Sequence, residues 1–226
     1  MNVAALRKPD SREFEYWTPE PIFKGKTVFC LASGPSLTQA VADKIKGHCA
    51  ITVNSSCRLA SWADVLYFTD SGWYEKRREL VRDWPAHVIS MSRTAKRELP
   101  DKVKRVQGRG EPSLPPQFPP LGSPYIQQGR TSGHTAISLA IALAANVIVC
   151  VGYDMRLVDG REHCHDEYQG EPRDLEQYAR ELVPAFAGWR AAAKLVGVEI
   201  LNATPGSAIT EFPFVNLDKV LTCDQS

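Results

Sequence analysis

Short runs of apolar and β-branched residues alternate along this chain with stretches of helical period. Residues 27–32 (TVFCLA), 49–53 (CAITV), 65–69 (VLYFT), 87–90, 103–106, 146–151 (NVIVCV) and 198–201 predict strands. NVIVCV shows no polar alternation, as expected of a strand in a parallel sheet covered on both faces. Between these runs, 37–46 predicts a helix, and the residues near 57–61 a short one. Residues 73–83 predict an exposed helix, 133–145 a buried Ala-rich helix, and 175–196 a long helical region kinked at Pro184. Strands alternating with helices predict an α/β fold: a single doubly wound, mostly parallel Rossmann-like sheet with helices on both faces.

Ligands of such sheets bind beyond the carboxyl ends of the strands. That rule gathers Ser33, Gly34, Pro35 and Ser36 after the first strand and Asn54 after the second. It adds Asp70 after the third, Gly152 and Asp154 after NVIVCV, and residues 202–207 after the last. Two segments resist regular structure. Residues 107–130 carry six prolines and are long for a connection, which predicts a lid or binding loop. Residues 157–173 are dense in ionisable groups. Residues 1–26 are polar and aperiodic, so the expected organisation is an arm over 1–26 and one domain over 27–226, with the lid within it.

A chain of 226 residues can bury one large core. A net charge of +1 argues against a strong nonspecific nucleic-acid binder. No apolar run approaches the roughly 20 residues of a membrane span, and the first residues lack a signal-peptide pattern. The six cysteines are scattered, several inside apolar runs, with no C-x-x-C. Reduced, mostly buried thiols in a cytoplasmic protein are the expectation.

The candidate chemistry starts at Ser33-Gly34-Pro35-Ser36, where a strand breaks into a helix. Unpartnered N–H groups and the helix dipole favour an anion at such a place. Gly34 would admit a phosphate, Pro35 suits a first helical turn and Ser36 can donate a hydroxyl. The alternative is a tight turn with no ligand. Thr131 or Ser132 is an expected N-cap of the buried helix, and Thr131, Ser132 and Gly133 form a second helix entrance. There the hydroxyls either only cap or also face a base, ribose or phosphate. His163-Cys164-His165-Asp166 is the densest reactive cluster, fit for acid–base work, phosphate contact or a metal, or a plain solvated loop. Spacing favours acid–base or phosphate contact over zinc, because no second Cys/His cluster is evident. Asp70 and Asp154 can hold magnesium, bind a ribose or cap a loop. Arg130, Arg156 and Arg161 can neutralise phosphate.

The blocks FCLASGPSL, ITVN, FTD, QGRTSGHTAISLAIALAANVIVCVGYDM and NATPGSAITEFPFVNLDKVL occur in this order between residues 28 and 221. Together they resemble the archaeal 6-hydroxymethylpterin diphosphokinase-like family and the related bacterial sialyltransferases of glycosyltransferase family 42. The resemblance implies a nucleotide held by Gly34, Pro35, Ser36, Asn54, Ser132, Gly133, Gly152 and Asp154, with His163 or His165 as base. It implies a group transferase. The first expectation is a glycosyltransferase using a CMP-sugar or other NDP-sugar and a hydroxyl acceptor such as a glycan or a modified DNA base. The alternatives are a diphosphokinase using ATP and Mg2+, held by Asp70 and Asp154, on a pterin-like alcohol, and a nucleotide-binding module without catalysis. Ser33 departs from the Asn or Gly usual in the sialyltransferases.

Overall fold

The computed structural model describes residues 15–110, 116–166 and 174–223; parts of the expected arm (1–14), lid (111–115) and ionisable loop (167–173) lie outside the described residues. The strands are β1 (Thr27–Leu31), β2 (Cys49–Val53), β3 (Val65–Phe68), β4 (His87–Ser90), β5 (Val103–Arg105), β6 (Gln107–Arg109), β7 (Tyr125–Gln127), β8 (Val147–Val151) and β9 (Glu199–Asn202). The helices are α1 (Gln39–Ile45), α2 (Ser71–Glu75), α3 (Arg78–Asp83), α4 (Arg93–Glu98), α5 (Ser132–Ala142), α6 (Leu175–Gln177), α7 (Trp189–Leu195) and α8 (Leu217–Cys223).

Seven strands form one parallel sheet in the order β5-β4-β3-β2-β1-β8-β9. Alternation within β1 divides the core. Val28 and Cys30 face α5 and α7, while Phe29 and Leu31 face α1 to α4 and α8. Burial on both faces explains why apolar residues run on without polar interruption. The chain steps outward from β1 to β5, then returns to the far side of β1 for β8. The order therefore reverses between β1 and β8, the place where open α/β sheets bind ligands.

Another segment meets each rim of the sheet, at Arg105 of β5 and at Asn202 of β9. The Trp17 N–H donates to the Arg105 carbonyl at 2.6 Å, with Lys104 over the Trp17 ring and Arg105 over that of Tyr16. At β9, Asn202 N–H donates to Pro213 O at 2.9 Å and Val215 N–H to Asn202 O at 3.0 Å.

Three expectations change. The exposed helix over 73–83 is two short helices, α2 and α3, and Trp73 and Tyr74 are buried. Trp73 donates from Nε1 to Ser55 Oγ at 2.8 Å, and Tyr74 stacks on Phe68. The helical region 175–196 is broken into α6, a π-helical turn Tyr178–Leu182, a 3-10 turn Pro184–Phe186 and α7. Gly188, at φ 79°, separates the last two pieces. The expected lid is anchored at both ends, because β6 and β7 pair as a small parallel sheet and Phe118 packs edge-on against Trp189.

Candidate active-site cleft

A cleft of about 880 Å³ opens at the carboxyl ends of β1, β2, β3 and β8, at the point of strand-order reversal. Ser33, Gly34, Asn54, Asp70, Thr131, Ser132, Gly133, Gly152, Asp154, His163 and His165 line it; Pro35 and Ser36 do not. Residues 202–207 are also outside it. Thr204 and Ser207 brace Tyr153 from behind: Tyr153 N–H donates to Thr204 Oγ1 at 3.0 Å, and Ser207 Oγ donates to Tyr153 O at 2.5 Å.

The Gly-Pro-Ser turn has its own internal anion. Asp154 Oδ2 accepts from Ser36 Oγ at 2.8 Å and from Ser36 N–H at 3.3 Å. Gly34 N–H donates to Gly152 O at 2.9 Å, and Pro35 has no N–H. Helix α1 begins only at Gln39, with Thr38 Oγ1 accepting from Val41 N–H at 3.3 Å. The phosphate cradle expected here is thus filled by a carboxylate, and no helix N-terminus lies at the turn. Gly34 and Gly152 answer to packing. A Cβ on Gly34 would overlap Asp154 Oδ2 and the Gly152 carbonyl oxygen, and one on Gly152 would overlap the Ala32 carbonyl oxygen.

The helix entrance is at α5. Thr131 is its N-cap, and Thr131 Oγ1 accepts from His134 N–H at 3.1 Å. Ser132 Oγ pairs with Thr69 Oγ1 at 2.6 Å. An added Cβ on Gly133 would make only ordinary contacts at 3.5 Å, so packing does not demand a glycine there. With Arg130 beside it, this entrance suits an anion through its N–H groups and dipole.

Two buried acceptors face the cleft with no partner among the described residues, Asn54 Oδ1 and Asp154 Oδ1. Burial raises the Asp154 carboxyl above its usual 3.8, against the opposing Ser36 hydrogen bonds. Asn54 and Met155 have left-handed backbones, φ 51° and 49°. Asn tolerates this, but Met does so at a cost of about 1–3 kcal/mol, a strain typical of functional sites.

Because Asp154 holds its proton at pH values where the unfolded chain has lost it, stability falls as pH rises from 3.8 through the folded pKa. Asp154→Asn keeps the Ser36 hydroxyl bond and removes the buried charge. Its melting temperature at pH 7 is expected to exceed that of wild type, and the gap to close below pH 3.8. A lower melting temperature at pH 7 would mean that the carboxylate stabilises the turn.

The histidine segment lines the same cleft. Cys164 N–H donates to Ser33 O at 2.8 Å, pinning the segment to the end of β1. The His163 and His165 rings share one side and stack, 5.2 Å apart and 6° from parallel. His134 belongs to the core instead. Its ring lies against Phe186 and Trp189, Nδ1 accepts from Arg130 N–H at 3.2 Å, and burial lowers its pKa to about 3. It is a neutral spacer that sets the entry to α5.

Asp70, expected as a magnesium ligand, caps α2 through Oδ1, which accepts from Gly72 N–H at 2.5 Å and Trp73 N–H at 3.1 Å. Among the described residues no group of three or more His, Cys, Asp or Glu is placed to hold a metal. Sequence reasoning did not single out Lys76, Met91, Gln128, Glu162 or Tyr178, all cleft residues. Glu162 adjoins the histidine pair and was within reach of a closer reading. Tyr178 carried no local signal.

No family model matches the chain, and no curated protein matches it. Among solved structures it is similar to the MAf glycosyltransferase from Magnetospirillum magneticum AMB-1, with a TM-score of 0.56 at 16% identity. The likeness is one of fold. It covers 89% of this chain and 35% of the neighbour, so the chain spans about a third of that protein's length. Among the described residues no helix is long and apolar enough to cross a membrane.

Proposed function

We propose that the chain is a glycosyltransferase that moves a sugar from a nucleotide-sugar donor to a hydroxyl acceptor. One observation carries this reading. The cleft at the strand-order reversal brings together an anion-ready helix entrance (Thr131, Ser132, Gly133, with Arg130) and a pair of stacked histidines. The fold it shares with a glycosyltransferase supports it. The α5 entrance would hold the donor phosphate. Asn54 Oδ1 and Asp154 Oδ1, buried with no donor among the described residues, would accept from the hydroxyl or amino groups of the nucleoside. An imidazole would take the acceptor proton as the acceptor oxygen bonds to the anomeric carbon. The bond from that carbon to the donor phosphate breaks, and the nucleotide departs with the electron pair. A CMP-sugar is the first candidate donor, on the resemblance of the sequence blocks to the family 42 sialyltransferases.

The test is a thermal-shift panel of CMP, UDP, GDP, ADP and ATP, each with and without Mg2+. A ligand at a hundred times its Kd adds about 2.7 kcal/mol to stability, which is about 5–11 °C for a domain of this size. The expected result is a shift of that order for CMP without metal, lost when Ser132 is replaced by Tyr. A shift only with ATP and Mg2+ would overturn the glycosyltransferase reading in favour of phosphoryl transfer. No shift with any nucleotide would overturn nucleotide binding at this cleft.

A further inference from the structure

The two histidines look alike in sequence and stack face to face, so the segment alone does not say which is the base. Glu162 breaks the tie. Its Oε1 lies 3.6 Å from His163 Nε2 and accepts a hydrogen bond from the Tyr178 hydroxyl at 2.9 Å. All four side chains line the cleft.

We infer that Glu162 is a positioning residue that selects His163 over His165 as the base, and that Tyr178 holds Glu162 in place. This rests on the transferase reading above. At 3.6 Å, an ion-pair rather than a hydrogen-bond distance, the carboxylate favours the proton on the nearer imidazole nitrogen, here Nε2, and leaves Nδ1 as the basic site. It also stabilises the imidazolium formed when the base takes the acceptor proton. Two imidazoles this close do not readily both become charged, because the first charge opposes the second. The carboxylate decides which ring accepts.

The backbone supports the same assignment. Tyr178 is 7% exposed and opens the π-helical turn, where Val183 N–H reaches back five residues to Tyr178 O at 2.9 Å. Such turns are uncommon and concentrate at functional sites. The Tyr178–Glu162 hydrogen bond joins this turn to the loop whose next residue but one, Cys164, is fixed to the end of β1. The Glu162 side chain is 14% exposed, mostly shielded from the water that would weaken its effect.

The test uses the full unliganded chain labelled with 15N. In wild type, an imidazole N–H resonance correlated with His163 Nε2 is expected, protected from solvent exchange by Glu162. It should vanish in Glu162→Ala and persist in Glu162→Asp, with melting temperatures within about 2 °C of one another. Absence of the resonance in wild type, or its survival in Glu162→Ala, overturns the positioning role whatever the chain turns over. The second readout is steady-state hydrolysis of CMP-sialate. Glu162→Ala is expected to lower kcat tenfold or more with KM within twofold, and Glu162→Asp to recover most of the loss. An unchanged kcat overturns the inference. A wild type that shows the resonance and does not hydrolyse CMP-sialate overturns that donor reading, and the Glu162–His163 pairing stands.

Discussion

His163→Ala is expected to cut turnover by about a hundredfold to ten-thousandfold, the usual effect of losing a general base. His165→Ala is expected to cost under tenfold. Donor binding, read as the thermal shift with CMP, should stay within twofold for both variants, because the donor phosphate is assigned to the α5 entrance and not to the histidines. The difference between the two histidines arises outside the rings themselves. His163 has Glu162 Oε1 3.6 Å from Nε2, and His165 lies on the His163 face. Steady-state kinetics on purified protein decides it. Equal losses in the two variants would mean that the stacked pair acts as one unit. No loss in either would remove the segment from the chemistry.

Gly34→Ala is expected to unfold the site rather than empty it. The new methyl group would press on the Gly152 carbonyl oxygen and on Asp154 Oδ2, and neither can yield cheaply. The carbonyl accepts Gly34's own N–H, and the carboxylate is held by two bonds from Ser36. Overpacking of this kind costs about 1–3 kcal/mol, and two clashes against fixed groups place the variant at the upper end. The corresponding fall in melting temperature is about 6–12 °C. Gly133→Ala is the companion measurement. Its Cβ meets Ala32 and Tyr153 only at 3.5 Å, so the melting temperature should stay within about 2 °C while nucleotide binding weakens at least about tenfold, or 1.4 kcal/mol. A stable Gly34→Ala would show that the β1–α1 and β8 turns can separate. An unaffected nucleotide affinity in Gly133→Ala would move the phosphate away from α5.

The sheet was legible because its strands are buried on both faces and written in uninterrupted apolar letters. Residues 49–53 and 87–90 fall on β2 and β4 end to end. The carboxyl-end rule gathered Ser33, Gly34, Asn54, Asp70, Gly152 and Asp154, which line one cleft, together with residues 202–207, which lie outside it. What lies between strands was harder. Trp73 and Tyr74 sit among charged neighbours, so a window of sequence reads as solvent-facing, although both rings insert beside Phe68. Strands β6 and β7 are three residues long, too short to show a period. The turn after β1 shows a deeper limit. Gly34 carries the same signature whether it must admit a phosphate or a carboxylate, and the carboxylate comes from Asp154, separated from Ser36 by 118 positions. Tyr178 is hidden for the same reason, since its bond to Glu162 depends on how the segment between them is folded back.

A seven-stranded parallel sheet has two rims whose backbone groups can recruit a strand from another molecule. Here Trp17 occupies one rim, with its ring and that of Tyr16 under two cations, and the segment around Phe214 occupies the other. A strand added at either rim would therefore have to displace these pairings at Arg105 and Asn202.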